Sequence, residues 1–141
     1  MKAAIAIVTA GLLFTAPAAA QDFQGQWYAQ IAMPTGTVEH IVVISGKTYI
    51  ANSTMSMQTA LGPVSYFTSQ SGEVMFNPPD NLRLIVLDWS PREYLGQPMS
   101  MPPNSNYTVL EHTETKLVTL DNVCAMSQPA EYCTVTYQRM L

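Results

Sequence analysis

Apolar and polar residues alternate along most of this chain with the period of two that belongs to β-strands. From Thr48 to Met57, the residues Tyr49, Ala51, Ser53, Met55 and Met57 fall on one face, against Thr48, Ile50, Asn52 and Thr54 on the other. From Leu82 to Trp89, the residues Leu82, Leu84, Val86 and Asp88 oppose Arg83, Ile85, Leu87 and Trp89. The stretch Tyr132 to Met140 sets Cys133, Val135, Tyr137 and Arg139 on the face we assign inward. Turn formers punctuate these runs: Pro34-Thr35-Gly36, Ser45-Gly46-Lys47, Leu61-Gly62-Pro63, Ser71-Gly72, Pro78 to Asn81, and Thr113-Glu114-Thr115. With Ser71-Gly72 as a turn, residues 64–77 divide into two strands, Val64 to Gln70 and Glu73 to Asn77. The pattern predicts eight or nine short strands and no helix. That is an all-β antiparallel sheet, either a sandwich or a small up-and-down barrel of about eight strands, closure having the advantage of removing the sheet edges.

One stretch organises the rest. In Asp22-Phe23-Gln24-Gly25-Gln26-Trp27-Tyr28, the residues Phe23, Gly25 and Trp27 share a strand face. A strand glycine signals a bend or a close approach, so Gly25 before Trp27 suits a strand that curls its indole over a barrel mouth. A chance glycine beside a large core residue is the bland alternative. Phe23-x-Gly25-x-Trp27 resembles the first-strand signature of the lipocalin-like (calycin) barrels. The resemblance implies a late arginine of the last strand packed across the tryptophan, a role for Arg139. It rests on the two ends of the chain. The Thr-Asp-Tyr motif and the helix of familiar lipocalins are missing and the chain is short, which brings it nearer to small bacterial lipocalin-like domains and protease-inhibitor barrels.

Residues 1–20 have the form of a signal peptide. Lys2 starts it, Ala3 to Phe14 is mostly apolar and too short to span a bilayer, and Ala18-Ala19-Ala20 offers a small-residue cleavage site. Export to a bacterial periplasm or the medium is the expectation, with residues 21–141 as a single β-barrel domain and a monomer. Cleavage removes Lys2 and leaves five basic side chains against ten acidic ones, a net charge of about −5. That balance argues against nucleic acid and against an anionic membrane surface as partners. In an exported protein the pair Cys124 and Cys133 is expected to form a disulfide. No Cys-x-x-Cys spacing exists to suggest a redox or metal pair instead.

Candidate chemistry is sparse. His40 and His112 lack useful metal-ligand neighbours and are expected on the strand surface. No Gly-x-Ser-x-Gly elbow occurs, and no catalytic constellation is recognisable. No cofactor is implied. Met55-Ser56-Met57 and Met99-Ser100-Met101 place soft thioethers in pairs, which suits Cu(I) as well as an adaptable apolar surface. Residues 90–106 form the one long irregular stretch, with four prolines and Tyr94, Leu95, Met99 and Met101, and are expected to act as a lid or a partner contact. Three functions follow as expectations. The first is binding of an apolar small molecule by Tyr49, Met55, Met57, Tyr94, Leu95, Met99 and Met101. The second is inhibition of, or interaction with, a secreted hydrolase through the N-terminal segment or the long loop. The third is carriage of a soft metal.

Overall fold

The computed structural model describes residues 23–140; the signal-peptide reading falls on residues 1–20 and lies outside them. Ten strands follow in chain order: β1 (Gly25–Met33), β2 (Gly36–Ser45), β3 (Thr48–Thr59), β4 (Gly62–Asn77), β5 (Asn81–Ser90), β6 (Glu93–Tyr94), β7 (Gln97–Pro98), β8 (Ser105–His112), β9 (Lys116–Asp121) and β10 (Thr134–Met140). Eight of them close an antiparallel barrel in which chain neighbours are also spatial neighbours, β1 pairing with β10 to complete the ring. β6 and β7 form a separate two-stranded hairpin inserted between β5 and β8. Of the two architectures the alternation allows, this is the up-and-down barrel of eight strands.

The inward faces follow the predicted parity except past the bulge at Leu87 in β5, where Asp88, grouped with Leu82, Leu84 and Val86 by the alternation, is exposed and Trp89 takes the half-buried side. Trp27, Val42, Ile44, Tyr49, Leu84, Leu117 and Tyr137 make the buried core, with Phe23 beneath them. Cross-strand register carries one face round the ring: Trp27 lies opposite Val42, Val42 opposite Ala51, and Ala51 opposite Gln70. The loops therefore sort to two ends. The β2–β3, β4–β5 and β8–β9 turns gather at the end that Phe23 and Trp27 close. The β1–β2, β3–β4, β5–β8 and β9–β10 connections gather at the opposite, open end.

Two local expectations are corrected. Ser71-Gly72 is no turn: β4 runs unbroken through it. Gly72 serves close approach instead, because a Cβ there would stand 1.8 Å from the Ile85 carbonyl oxygen of β5. The pairing slips by a residue at this point, leaving Leu87 bulged and exposed. The last strand begins at Thr134, since the preceding residues form two short 3₁₀ segments, Cys124–Met126 and Ala130–Cys133. The Cys124–Cys133 disulfide clips these together with Cα atoms 5.6 Å apart. Closing so short a loop contributes about 2–3 kcal/mol on the chain-entropy account.

The closed end is built around one cation. Arg139 lies directly opposite Trp27 in the β1–β10 register, and its guanidinium carbon sits 4.2 Å from the indole centroid. Nη1 donates to the Gln24 carbonyl, and Nε donates to the Glu114 carbonyl at 2.6 Å. The indole Nε1 donates to the Phe23 carbonyl at 2.9 Å. Gly25 makes this possible. It holds φ at +117°, and a Cβ there would stand 2.7 Å from Arg139 Nη1. Gly25→Ala is therefore expected to cost about 1–3 kcal/mol, through a backbone region that only glycine occupies without strain. Trp27→Ala is expected to cost about 3–5 kcal/mol. A double-mutant cycle between Trp27 and Arg139, read by urea denaturation, is expected to return a coupling of about 1–2 kcal/mol. Additive losses would show that the stacking carries no energy of its own.

Candidate functional site

The lower half of the barrel is filled. Its interior void, lined by Trp27, Val42, Leu84, Leu117 and Tyr137 among others, measures about 20 Å³. That is room for about one water and no ligand. Tyr49 belongs to this packed region. Its ring is buried among core side chains, and its hydroxyl accepts from Gln70 Nε2 at 3.2 Å. Of the residues expected to bind an apolar molecule, Tyr49 is therefore a wall of the core and stands apart from the mouth.

Further up, the ring opens. The register of β1 with β10 ends at Tyr28 and Gln138, while β2, β3 and β4 continue. At this level His40, on the inward face of β2, meets Tyr137 of β10, with Nδ1 2.9 Å from the phenol oxygen. This bond bridges the strands just where direct pairing stops. His40 is not a strand-surface residue, because its parity matches Val42 and Ile44. Desolvation lowers its pKa below the ordinary 6.5, and burial pushes the Tyr137 phenol far up. His112 also points inward, for a different reason. An extra residue, Leu110, shifts the β8–β9 register, so that His112 rather than Glu111 faces the core. There it stacks on Phe23 at 4.4 Å between ring centroids and lies 6.1 Å from Trp27.

The mouth is organised by Tyr66, which sequence reasoning passed over as one strand residue among many. It pairs with Met55 across β3 and β4. Its hydroxyl lies 3.8 Å from Met99 Sδ, and its ring meets Tyr94 edge-on at 4.7 Å. The long loop thus folds back onto β4 through Tyr94 and Met99. Met55 and Met57 share the inward face of β3 and are half-buried. Leu95 and Met101 do not join them. Leu95 forms the tip of the β6–β7 hairpin at φ 52°, followed by Gly96 at φ 79°, and both Leu95 and Met101 are exposed. Of the seven expected residues, Met55, Tyr94 and Met99 come together around Tyr66, with Met57 on the same face.

No family model, curated protein or solved structure matches this chain.

The root of the long loop is pinned by charge and stacking. The Arg92 guanidinium lies 3.5 Å over the Trp89 ring, and its Nη2 pairs with Asp88 at 2.6 Å. Arg92 also accepts a backbone hydrogen bond from Met99 at 2.8 Å, which holds the two ends of the hairpin together. The hydrogen bonds from Arg92 and the Trp89 backbone hold the Asp88 carboxyl below its ordinary pKa. Among the described residues no group of three or more His, Cys, Asp or Glu is placed to hold a metal ion.

The His40–Tyr137 bridge sets a pH dependence. Because His40 binds its proton less readily folded than unfolded, the unfolded state gains protons first as pH falls through 6.5. Stability is expected to be full above that pH and to decline below it, by at most about 1.4 kcal/mol per pH unit from this group. Urea midpoints measured at neutral and mildly acidic pH check this. His40→Phe should lose less stability on acidification than the parent protein, and an equal loss would assign the dependence elsewhere.

Proposed function

We propose that the protein is an exported interaction protein that docks on another protein through the open end of its barrel. One observation carries this reading: the placement of exposed apolar side chains on the connecting segments. Leu61 on the β3–β4 turn is 100% exposed, Leu95 on the β6–β7 turn 85%, Met126 85% and Tyr132 72%. All four stand on open-end connections, as do exposed Met101 and Val123. The closed-end turns are built from Ser45-Gly46-Lys47, Pro78-Pro79-Asp80 and Thr113-Glu114-Thr115, with no large apolar side chain. Exposed apolar residues also stand on the strand walls of the closed half, Ile50, Met75, Leu110 and Met140, but only the open end carries them on its turns, the usual place of a contact surface. The disulfide supports this use, since it stiffens the loop that carries Val123, Met126 and Tyr132 and lowers the cost of ordering it on contact.

The Gly25–Trp27–Arg139 plug supports a lipocalin-like kinship. Through that kinship, small protease-inhibitor barrels make a secreted hydrolase the first partner class to test. The described N-terminus supports a division of labour: Phe23 is buried at the closed end, away from the exposed loops. A second reading, an apolar small molecule held in the mouth, draws support from the Met55–Tyr66–Tyr94–Met99 cluster. Its ligand has to sit above His40 and Tyr137, since the space below them is filled.

Site-specific photo-crosslinking in the exporting host separates these readings. A crosslinker at Leu61, Leu95 or Met126 is expected to give a discrete adduct with one protein, whereas one at Lys47 or Asp80 is expected to give none. Equal adducts from both ends would defeat the docking reading. A small molecule retained in native mass spectrometry, and lost in Tyr66→Ala, would favour the second.

A further inference from the structure

The charged residues are unevenly placed, as are the apolar residues of the turns. Among the described residues, Glu73, Asp80, Glu111 and Glu114 occupy the closed-end half of the barrel, and Lys47, Arg83, Lys116 and Arg139 balance them there. One of these pairs, Lys116 with Glu111, is in contact at 3.3 Å. The open-end half holds Glu39, Asp88, Glu93, Asp121 and Glu131 against Arg92 alone. Arg92 is already committed to Asp88 and to the Trp89 ring. The net negative charge of the described chain therefore resides at the end that also displays Leu61, Leu95, Met126 and Tyr132.

Glu93 flanks Leu95 on the inserted hairpin, and Glu131 adjoins Tyr132 on the clipped loop. Both carboxylates are exposed. Acids set beside exposed apolar tips form a polar rim around an apolar centre, the anatomy of a protein contact. Their sign selects the partner. A second copy of this end would bring like charges together, and an anionic bilayer would be repelled.

We infer that the open end is built for a protein partner whose contact surface is basic around an apolar centre. This inference rests on the docking reading above and adds the partner's chemistry to it. In such a complex the apolar tips of the loops enter the partner's centre, and Glu93 and Glu131 face its Lys or Arg rim, while Asp121 caps the Val123 and Cys124 amides of the clipped loop. Association is then fast at low salt and weakens as salt rises, because exposed charges are screened beyond about 8 Å at physiological ionic strength.

The test uses the exported protein and synthetic amphipathic peptides of one leucine pattern, with polar positions all Lys, all Ser or all Glu. Affinity is read by calorimetry at two salt concentrations. The Lys peptide is expected to bind at least about tenfold more tightly than the Ser peptide, and the Glu peptide more weakly than either. Raising the salt should erase most of that difference. Glu93→Lys with Glu131→Lys is expected to weaken Lys-peptide binding by about tenfold, while Glu73→Lys with Asp80→Lys at the closed end leaves it unchanged. Circular dichroism melts confirm that each variant is folded. Equal affinity for the Lys and Ser peptides, with binding still lost in Leu61→Ser, Met126→Ser, would overturn the charge inference and leave the docking reading standing. Unchanged Lys-peptide binding in Leu61→Ser, Met126→Ser would overturn the docking reading itself. Failure of all three peptides to bind would overturn both. Tighter binding to phosphatidylglycerol vesicles than to the Lys peptide would replace the protein partner with a membrane surface.

Discussion

The guanidinium of Arg139 over the indole of Trp27 is the contact on which the rest of this barrel depends. It joins the first strand to the last at the place where the ring must close. Three constraints meet there. The indole needs an acceptor and finds the Phe23 carbonyl. The guanidinium needs acceptors and finds the Gln24 and Glu114 carbonyls. Both need Gly25 to lack a Cβ. A cation held by backbone carbonyls keeps its planar fork fixed, so it can stack without losing hydrogen bonds. The same residue tethers the β8–β9 turn through Glu114 and, with its backbone amide, through Thr115. The filled end is therefore rigid, and adaptability is left to the other end.

This asymmetry accounts for the distribution of packing. Below His40 and Tyr137 the inward residues are large and apolar, and little space remains. Level with His40 the inward Ser53 and Thr68 are small and polar, and beyond them Met55, Met57 and Tyr66 line the mouth where β1 and β10 no longer pair. The His40–Tyr137 hydrogen bond marks the boundary. It ties β2 to β10 across β1 where the β1–β10 backbone pairing ends, at the cost of burying two titratable groups. A buried histidine is satisfied here only while it is neutral or donates to the phenol oxygen, and desolvation favours the neutral form.

Much of this fold was legible because the strand period of two is a local signal. The parity of Tyr49, Ala51, Met55 and Met57, of Leu82 and Leu84, and of Tyr137 and Arg139 placed each on its observed face. Gly25 and Trp27 were legible because their spacing carries physical meaning on one strand, whereas Arg139 was placed through the resemblance that this spacing suggests. What escaped was non-local. Gly72 has the composition of a turn, and only the approach of Ile85 on another strand explains it. His112 was misassigned because the slip at Leu110 reverses the alternation, and a bulge leaves no mark in the composition of its strand. Tyr66 became the centre of the mouth because the long loop returns to it, a tertiary event that no strand pattern encodes.

The same division bears on the site. Methionine pairs drew attention by their spacing, yet spacing fixes faces only within a strand. Met55 and Met57 share a face because β3 is extended, whereas Met99 and Met101 part because they lie on a loop, one turned towards Tyr66 and one towards solvent. Exposed leucine, methionine and tyrosine at loop tips are energetically idle in the free protein, since none is buried in the barrel core. Their cost in solubility is offset by the acidic groups beside them, which repel other copies of the same end. Under the docking reading, like charge disfavours the pairing of two such ends, and the same carboxylates that flank the exposed tips would suit a basic rim.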